Sequence, residues 1–157
     1  MEPIGQRAIV VYATVLPWLG SPWCGVPAVV GQAFAAALAA QAADWLELRE
    51  SYPDCELVVA GDLNQDLAKR HFYGSKANRR AMETALKQSE LTCLTGGSGD
   101  PVGLLTRGER ASIDHICVSA GLKQRVDGPC RVWPIGDKPD RRISDHYGVV
   151  VELGMGW

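Results

Sequence analysis

Apolar residues fall along this chain in two kinds of run, short β-rich ones and longer helical ones, and the two kinds alternate. Ala8-Ile9-Val10-Val11, ending at Tyr12, predicts an interior strand. From about Val29 to Glu50 helix-forming residues dominate, and Phe34, Leu38, Trp45 and Leu48 fall on one face of a long helix that Tyr52-Pro53-Asp54 stops. Leu57-Val58-Val59-Ala60 then has four apolar residues in a row, the pattern of a strand buried on both faces. Strand, loop, helix and strand make a βαβ crossover that should set the second strand beside the first, with Tyr12 near Asp62. Further on, the pattern predicts a helix over Ala77–Ser89 and strands over Leu91–Thr95, Ala111–Val118, Cys130–Ile135 and Tyr147–Leu153. Gly96–Pro101 reads as a flexible connection and Asp137–Arg142 as a charged loop. With no internal repeat and no convincing linker, residues 1–157 form one domain.

Chemistry gathers where the apolar runs stop. Gly61-Asp62-Leu63-Asn64 leaves the carboxyl end of its strand with two hard oxygen donors separated by one residue, and ligands of open α/β sheets collect at such ends. The same residues are also good turn chemistry, because Asp and Asn bond their own backbone and Gly accepts positive φ. Two later stretches favour the chemical reading. Ile113-Asp114-His115-Ile116 sets a carboxylate inside an alternating strand, and Ser144-Asp145-His146 sets a carboxylate beside an imidazole. A carboxylate there suits a cation, and an imidazole suits a metal or a phosphoryl oxygen. Alternation along the strand turns His115 to the face opposite Asp114, outside the site.

Composition narrows the picture. The 157 residues are 46% hydrophobic and 22% charged, enough for one domain with a core. A net charge of −2 argues against nucleic-acid binding by bulk charge, so any polyanion site is local. Local cations occur in Lys69-Arg70-His71-Phe72-Tyr73-Gly74-Ser75-Lys76, where Arg70 and Lys76 can meet phosphates and Tyr73 can stack, although such residues more often form a solvated face; His71 reads as a surface residue. Trp18 and Trp23, in a Gly- and Pro-rich loop, can stack on a ring, but loop tryptophans more often pin the loop to its domain. Five scattered cysteines without a Cys-x-x-Cys pair read as free thiols of a reduced, cytoplasmic protein. No stretch has the length and apolarity of a membrane span, and no export signal is visible.

Gly61-Asp62-Leu63-Asn64, Ile113-Asp114-His115-Ile116 and Ser144-Asp145-His146, in that order, resemble the motifs of the endonuclease/exonuclease/phosphatase superfamily with its deoxyribonuclease I-like fold. Tyr12-Ala13-Thr14-Val15-Leu16-Pro17-Trp18 resembles that superfamily's segment at the rim of the active site. The resemblance implies an α+β fold, a sandwich of two stacked sheets, and hydrolysis of a phosphate ester, with nucleic acid among the substrates, assisted by Mg²⁺ or Mn²⁺. It gives Asp62, Asn64, Asp114, His146 and Tyr12 catalytic roles, with Asp114 behind His146, and makes Asp62, Asn64, Asp145 and His146 the metal set.

The match covers only the later part of the family's domain, so the domain is expected to be partial. The family's opening strands and metal-binding glutamate have no counterpart: the acids before Asp62 are Glu2, Asp44, Glu47, Glu50, Asp54 and Glu56, and none sits in a matching context. Two readings follow. One is a metal-dependent phosphoesterase or nuclease whose open side a second chain or another copy covers. The other is an inactive remnant that serves as a binding module.

Overall fold

The computed structural model describes residues 7–133 and 144–154. Strand β1 (Ile9–Val15) pairs in parallel with β2 (Glu56–Asp62), and helix α1 (Gln32–Ser51) joins them. Strand β4 (Asp114–Val118) runs antiparallel to β2 on its other side, and the two-residue β3 (Thr92–Cys93) closes the order β1-β2-β4-β3. Helix α2 (Lys76–Gln88), with Ser75 as its N-cap, precedes β3. Two short helices, α3 (Pro101–Leu105) and α4 (Ala120–Lys123), flank β4, and a separate two-stranded antiparallel sheet pairs β5 (Arg131–Trp133) with β6 (Gly148–Val150).

The core lies between the sheet and α1 and α2. Phe34, Leu38 and Trp45 of α1 meet Leu57 and Val59 of β2, Met82 and Leu86 of α2, and Cys117 of β4, with Leu48 packed at the margin. The expected helix face is therefore the buried one, although α1 begins three residues later than Val29, after Gly31 takes a left-handed φ of 76°. Trp23 packs at the edge of the core, whereas Trp18 is exposed. Trp23 thus pins its loop.

The other face of the sheet departs from expectation. Ile9, Val11 and Val15 are 43%, 64% and 67% exposed, and Val58 and Ala60 of β2 are only half-buried. The prediction that β2 is buried on both faces is corrected, because helices cover one face and the described residues leave the other partly open. Gly96–Pro101 is no flexible connection either. It holds a 3-10 turn over Gly97–Gly99, and the buried Asp100 carboxylate accepts the amides of Val102, Gly103 and Ser112 at 2.9, 3.1 and 3.0 Å. The expected strands over Leu91–Thr95, Ala111–Val118 and Tyr147–Leu153 contract to β3, β4 and β6. Of Cys130–Ile135 the structure shows Arg131–Trp133, while residues 134–135 and the charged loop at 137–142 lie outside the described residues.

Candidate active site

Register builds the site. The antiparallel ladder pairs Asp62, the last residue of β2, with Asp114, the first of β4, so two carboxylates share one face at one end of the sheet. Gly61 makes the approach to β1 tight enough for this: at φ 147° an added Cβ would lie 1.8 Å from the Thr14 carbonyl oxygen. Only glycine fits there. His146 arrives just before β6, and its Nδ1 lies 2.8 Å from Asp114 Oδ2. Asp62, Asp114 and His146 each present a ligand atom within 4.8 Å of the others.

The chain leaves Asp62 through Asn64, a non-glycine residue at φ 45°. The Asn64 amide donates to Asp62 Oδ1 at 3.0 Å, and its Nδ2 donates to Asp62 Oδ2 at 3.0 Å and to the Leu16 carbonyl at 2.9 Å. Both acceptors require a donor, which fixes the amide's orientation. Turn chemistry and site chemistry are therefore the same bonds, because the Asx turn also holds the Asp62 carboxylate in place. Asn64 Oδ1 faces the Tyr73 hydroxyl, which donates to it at 3.4 Å.

Electrostatics follows from this packing. Burial pushes the Asp62 carboxyl above its usual range, and the charge of Asp114 adds to the rise while the Asn64 amide opposes it. The hydrogen bond to Asp114 raises His146, against the opposing pull of burial. Tyr73 is raised by burial and by the Asp62 charge.

A cleft of about 250 Å³ opens beside these groups, with Phe72, Tyr73, Arg110, Asp114, Asp145 and His146 among its walls. Asp145 stands here and its charge helps to raise His146, while Asp114 rather than Asp145 completes the tight group with Asp62. Of the expected substrate contacts, Tyr73 touches the site. Arg70 stacks its guanidinium on Phe72 at 5.3 Å, and Lys76 is exposed at the start of α2.

Tyr12 stands elsewhere than expected. β1 continues to Val15, which is the residue opposite Asp62, whereas Tyr12 pairs with Val59. Its hydroxyl donates to Asp44 Oδ2 at 2.7 Å on α1, its ring packs edge-on to Trp45, and burial together with Asp44 pushes its pKa up to about 12. The expected closeness to Asp62 is thus corrected.

Sequence reasoning passed over Gln65 and Asp66, both fully buried. Asp66 accepts the amides of Ala68, Phe72 and Tyr73 at 3.3, 3.0 and 2.7 Å, with His71 Nδ1 at 3.0 Å and Arg79 at 3.5 Å. His71 is therefore a half-buried neighbour of Asp66 rather than a free surface residue. Gln65 accepts the Ser75 amide at 3.1 Å and donates to the Tyr73 carbonyl at 2.9 Å. Together they hold the loop that carries Tyr73. His115 is buried on the face away from Asp114, as alternation requires, and its Nε2 meets the Gln65 carbonyl at 2.9 Å.

The mixed sheet with helices on one face is an α+β fold of the deoxyribonuclease I-like type. The chain belongs to the endonuclease/exonuclease/phosphatase family, whose model matches residues 6–146. Among solved structures it is similar to a 3'-5' exonuclease (NExo) from Neisseria meningitidis, with a TM-score of 0.62 at 20% identity, covering 91% of this chain and 61% of that one. It is also similar to an AP endonuclease from Archaeoglobus fulgidus, with a TM-score of 0.55 at 18% identity, covering 94% of this chain and 62% of that one. The chain thus spans less than two thirds of the length of either neighbour. No curated protein matches it in sequence.

Proposed function

We propose that this chain hydrolyses a phosphate ester, nucleic acid being the favoured substrate, with help from a divalent metal ion. The observation that carries the reading is the Asp62–Asp114–His146 group, whose ligand atoms lie within 4.8 Å of one another, in a chain of this family. A carboxylate whose ionisation is opposed by burial and by a second carboxylate is a donor that a hard cation such as Mg²⁺ or Mn²⁺ relieves. In this reading Asp62 and Asp114 supply carboxylate oxygens to the ion, with Asn64, Asp145 and His146 beside it. When bound, the ion would neutralise charge on the phosphoryl oxygens.

The chain's own residues do the rest. Asp62, its oxygens held by Asn64 and its proton affinity raised by burial, takes a proton from the attacking water. Asp114 accepts a hydrogen bond from His146 Nδ1–H, which favours the charged ring and leaves Nε2–H to bond a phosphoryl oxygen. Tyr73, fixed through Gln65 and Asp66, lines the cleft and offers a face on which a base can stack. Tyr12 has no part in this step.

A second reading is a module that binds without cleaving, favoured by a tight group that, among the described residues, offers only two carboxylates to a cation. Single-stranded DNA, duplex DNA, RNA and a chromogenic phosphodiester, each assayed with Mg²⁺, with Mn²⁺ and with a chelator, separate the two. Cleavage that the chelator abolishes is expected. Binding without cleavage of any substrate would establish the remnant.

A further inference from the structure

Behind the site, on the helix-covered face of the sheet, two thiols meet across the ladder. Cys93 of β3 and Cys117 of β4 are direct partners in the antiparallel register. The Leu94 amide donates to the Ile116 carbonyl at 2.9 Å, which makes Cys93 and Cys117 a non-hydrogen-bonded pair, the kind whose side chains approach most closely. Cα atoms in such a pair lie about 4.5 Å apart, inside the roughly 4.4–6.8 Å that a disulfide spans. The pair also has a polar setting. Cys93 Sγ lies 3.5 Å from His115 Nδ1 and 3.8 Å from Thr95 Oγ1, and Thr95 Oγ1 is itself 3.1 Å from His115 Nδ1.

We propose that Cys93 and Cys117 form an oxidisable pair, which a hydroperoxide converts to a cross-strand disulfide. Cys93 is the attacking sulfur, because it is partly exposed while Cys117 is fully buried. Hydrogen bonding with the Cys117 thiol holds Cys93 well below the usual thiol range, and the same contact, with burial, holds Cys117 well above it. In the first step the Cys93 thiolate attacks one oxygen of hydrogen peroxide. The O–O bond breaks, Cys93 becomes a sulfenic acid, and the second oxygen leaves as hydroxide, which the proton released by Cys93 turns into water. In the second step the Cys117 sulfur displaces hydroxide from the sulfenic sulfur, and the Cys117 proton leaves with it as water. Two electrons pass from the thiols to the peroxide, which ends as two waters.

The bridge would act next to the site. His115 connects the pair to the carbonyl of Gln65, one residue past Asn64, and oxidation turns the thiol beside its Nδ1 into an uncharged disulfide sulfur without a proton to donate, with Thr95 remaining as its oxygen partner. Cys130, whose thiol donates to the Leu94 carbonyl at 3.2 Å, is the nearby competitor. Cys24 and Cys55 complete the five cysteines.

The test needs no assumption about the activity. The native protein is treated with equimolar hydrogen peroxide, its remaining thiols are titrated in denaturant, and unreduced peptides are mapped by mass spectrometry. Two of the five thiols should disappear, with loss of the mass of two hydrogens, one cross-linked peptide joining Cys93 to Cys117, and full reversal by dithiothreitol. Cys130→Ser should form the same bridge, and Cys117→Ser should stop at a sulfenic acid that dimedone traps on Cys93. Five thiols surviving, a bridge through Cys130, or Cys93 overoxidised without a bridge would each overturn the proposal; the wild-type map decides even where a variant fails to fold.

Discussion

At the scale of single residues the site is a balance of charges that burial makes costly. Asp62 is raised and faces Asp114, and Asp114 is tied to a raised His146, so Asp62 and His146 both respond to the charge on Asp114. The sign for His146 is set by its direction. A histidine raised in the folded state contributes stability that is fully present below its unfolded value of about 6.5 and is lost as pH climbs through the folded value. Asp114→Asn removes the main cause of the rise. The midpoint of His146 should then fall, read from its ring proton in an NMR titration, and cleavage should drop by about 10²-fold or more, as expected when a general acid–base partner loses its orientation. A midpoint that does not move would mean that the 2.8 Å pair is not made in solution. The pair itself was legible in the sequence, because Asp114 and His146 each sit in a short motif whose order along the chain resembles one family. Tyr12 was not, because β1 continues past it through Ala13, Thr14 and Val15, which pair with Ala60, Gly61 and Asp62. Nothing in the residues themselves marks where the pairing stops.

Among the elements, the segment from Asp66 to Ser75 matters most, because it carries Phe72 and Tyr73 to the cleft. Its cations drew attention in the sequence, yet its shape comes from one buried carboxylate that accepts three amides. Asp66→Ala would orphan those donors and leave Arg79 with Glu83 alone of its two carboxylate partners, at a cost of about 1–3 kcal/mol for the unpaired amides. Denaturant unfolding should show that loss, and hydrogen exchange should quicken at the Phe72 and Tyr73 amides. Unchanged exchange there would mean that the loop is held by something else. Charge is visible in a sequence, whereas the backbone amides that a carboxylate will serve are not, and Asp66 was missed for that reason. The long elements were legible for the opposite reason: α1 and α2 span 20 and 13 residues, enough for a periodic face, while α3 and α4 span five and four, too few to show one.

For the molecule as a whole, the sheet is covered by helices on one face and carries Ile9, Val11 and Val15 exposed on the other. Contiguous exposed apolar residues mark interaction surfaces, and we expect copies of this chain to associate through that face. Sedimentation velocity should show mass rising with concentration, and Val11→Lys should suppress the rise; a monomer at every concentration would contradict it. Val15 of that face stands opposite Asp62, so the central claim is tested at concentrations where the chain is a monomer. That claim is metal-dependent phosphoester hydrolysis at Asp62 and His146. The most direct measurement compares Mg²⁺- and Mn²⁺-dependent cleavage of a phosphodiester substrate by the wild-type chain, Asp62→Asn and His146→Ala, each shown to be folded by circular dichroism. We predict cleavage by the wild type that a chelator abolishes, and a loss of about 10²–10⁴-fold in either variant. Cleavage by either folded variant at the wild-type rate would contradict the account.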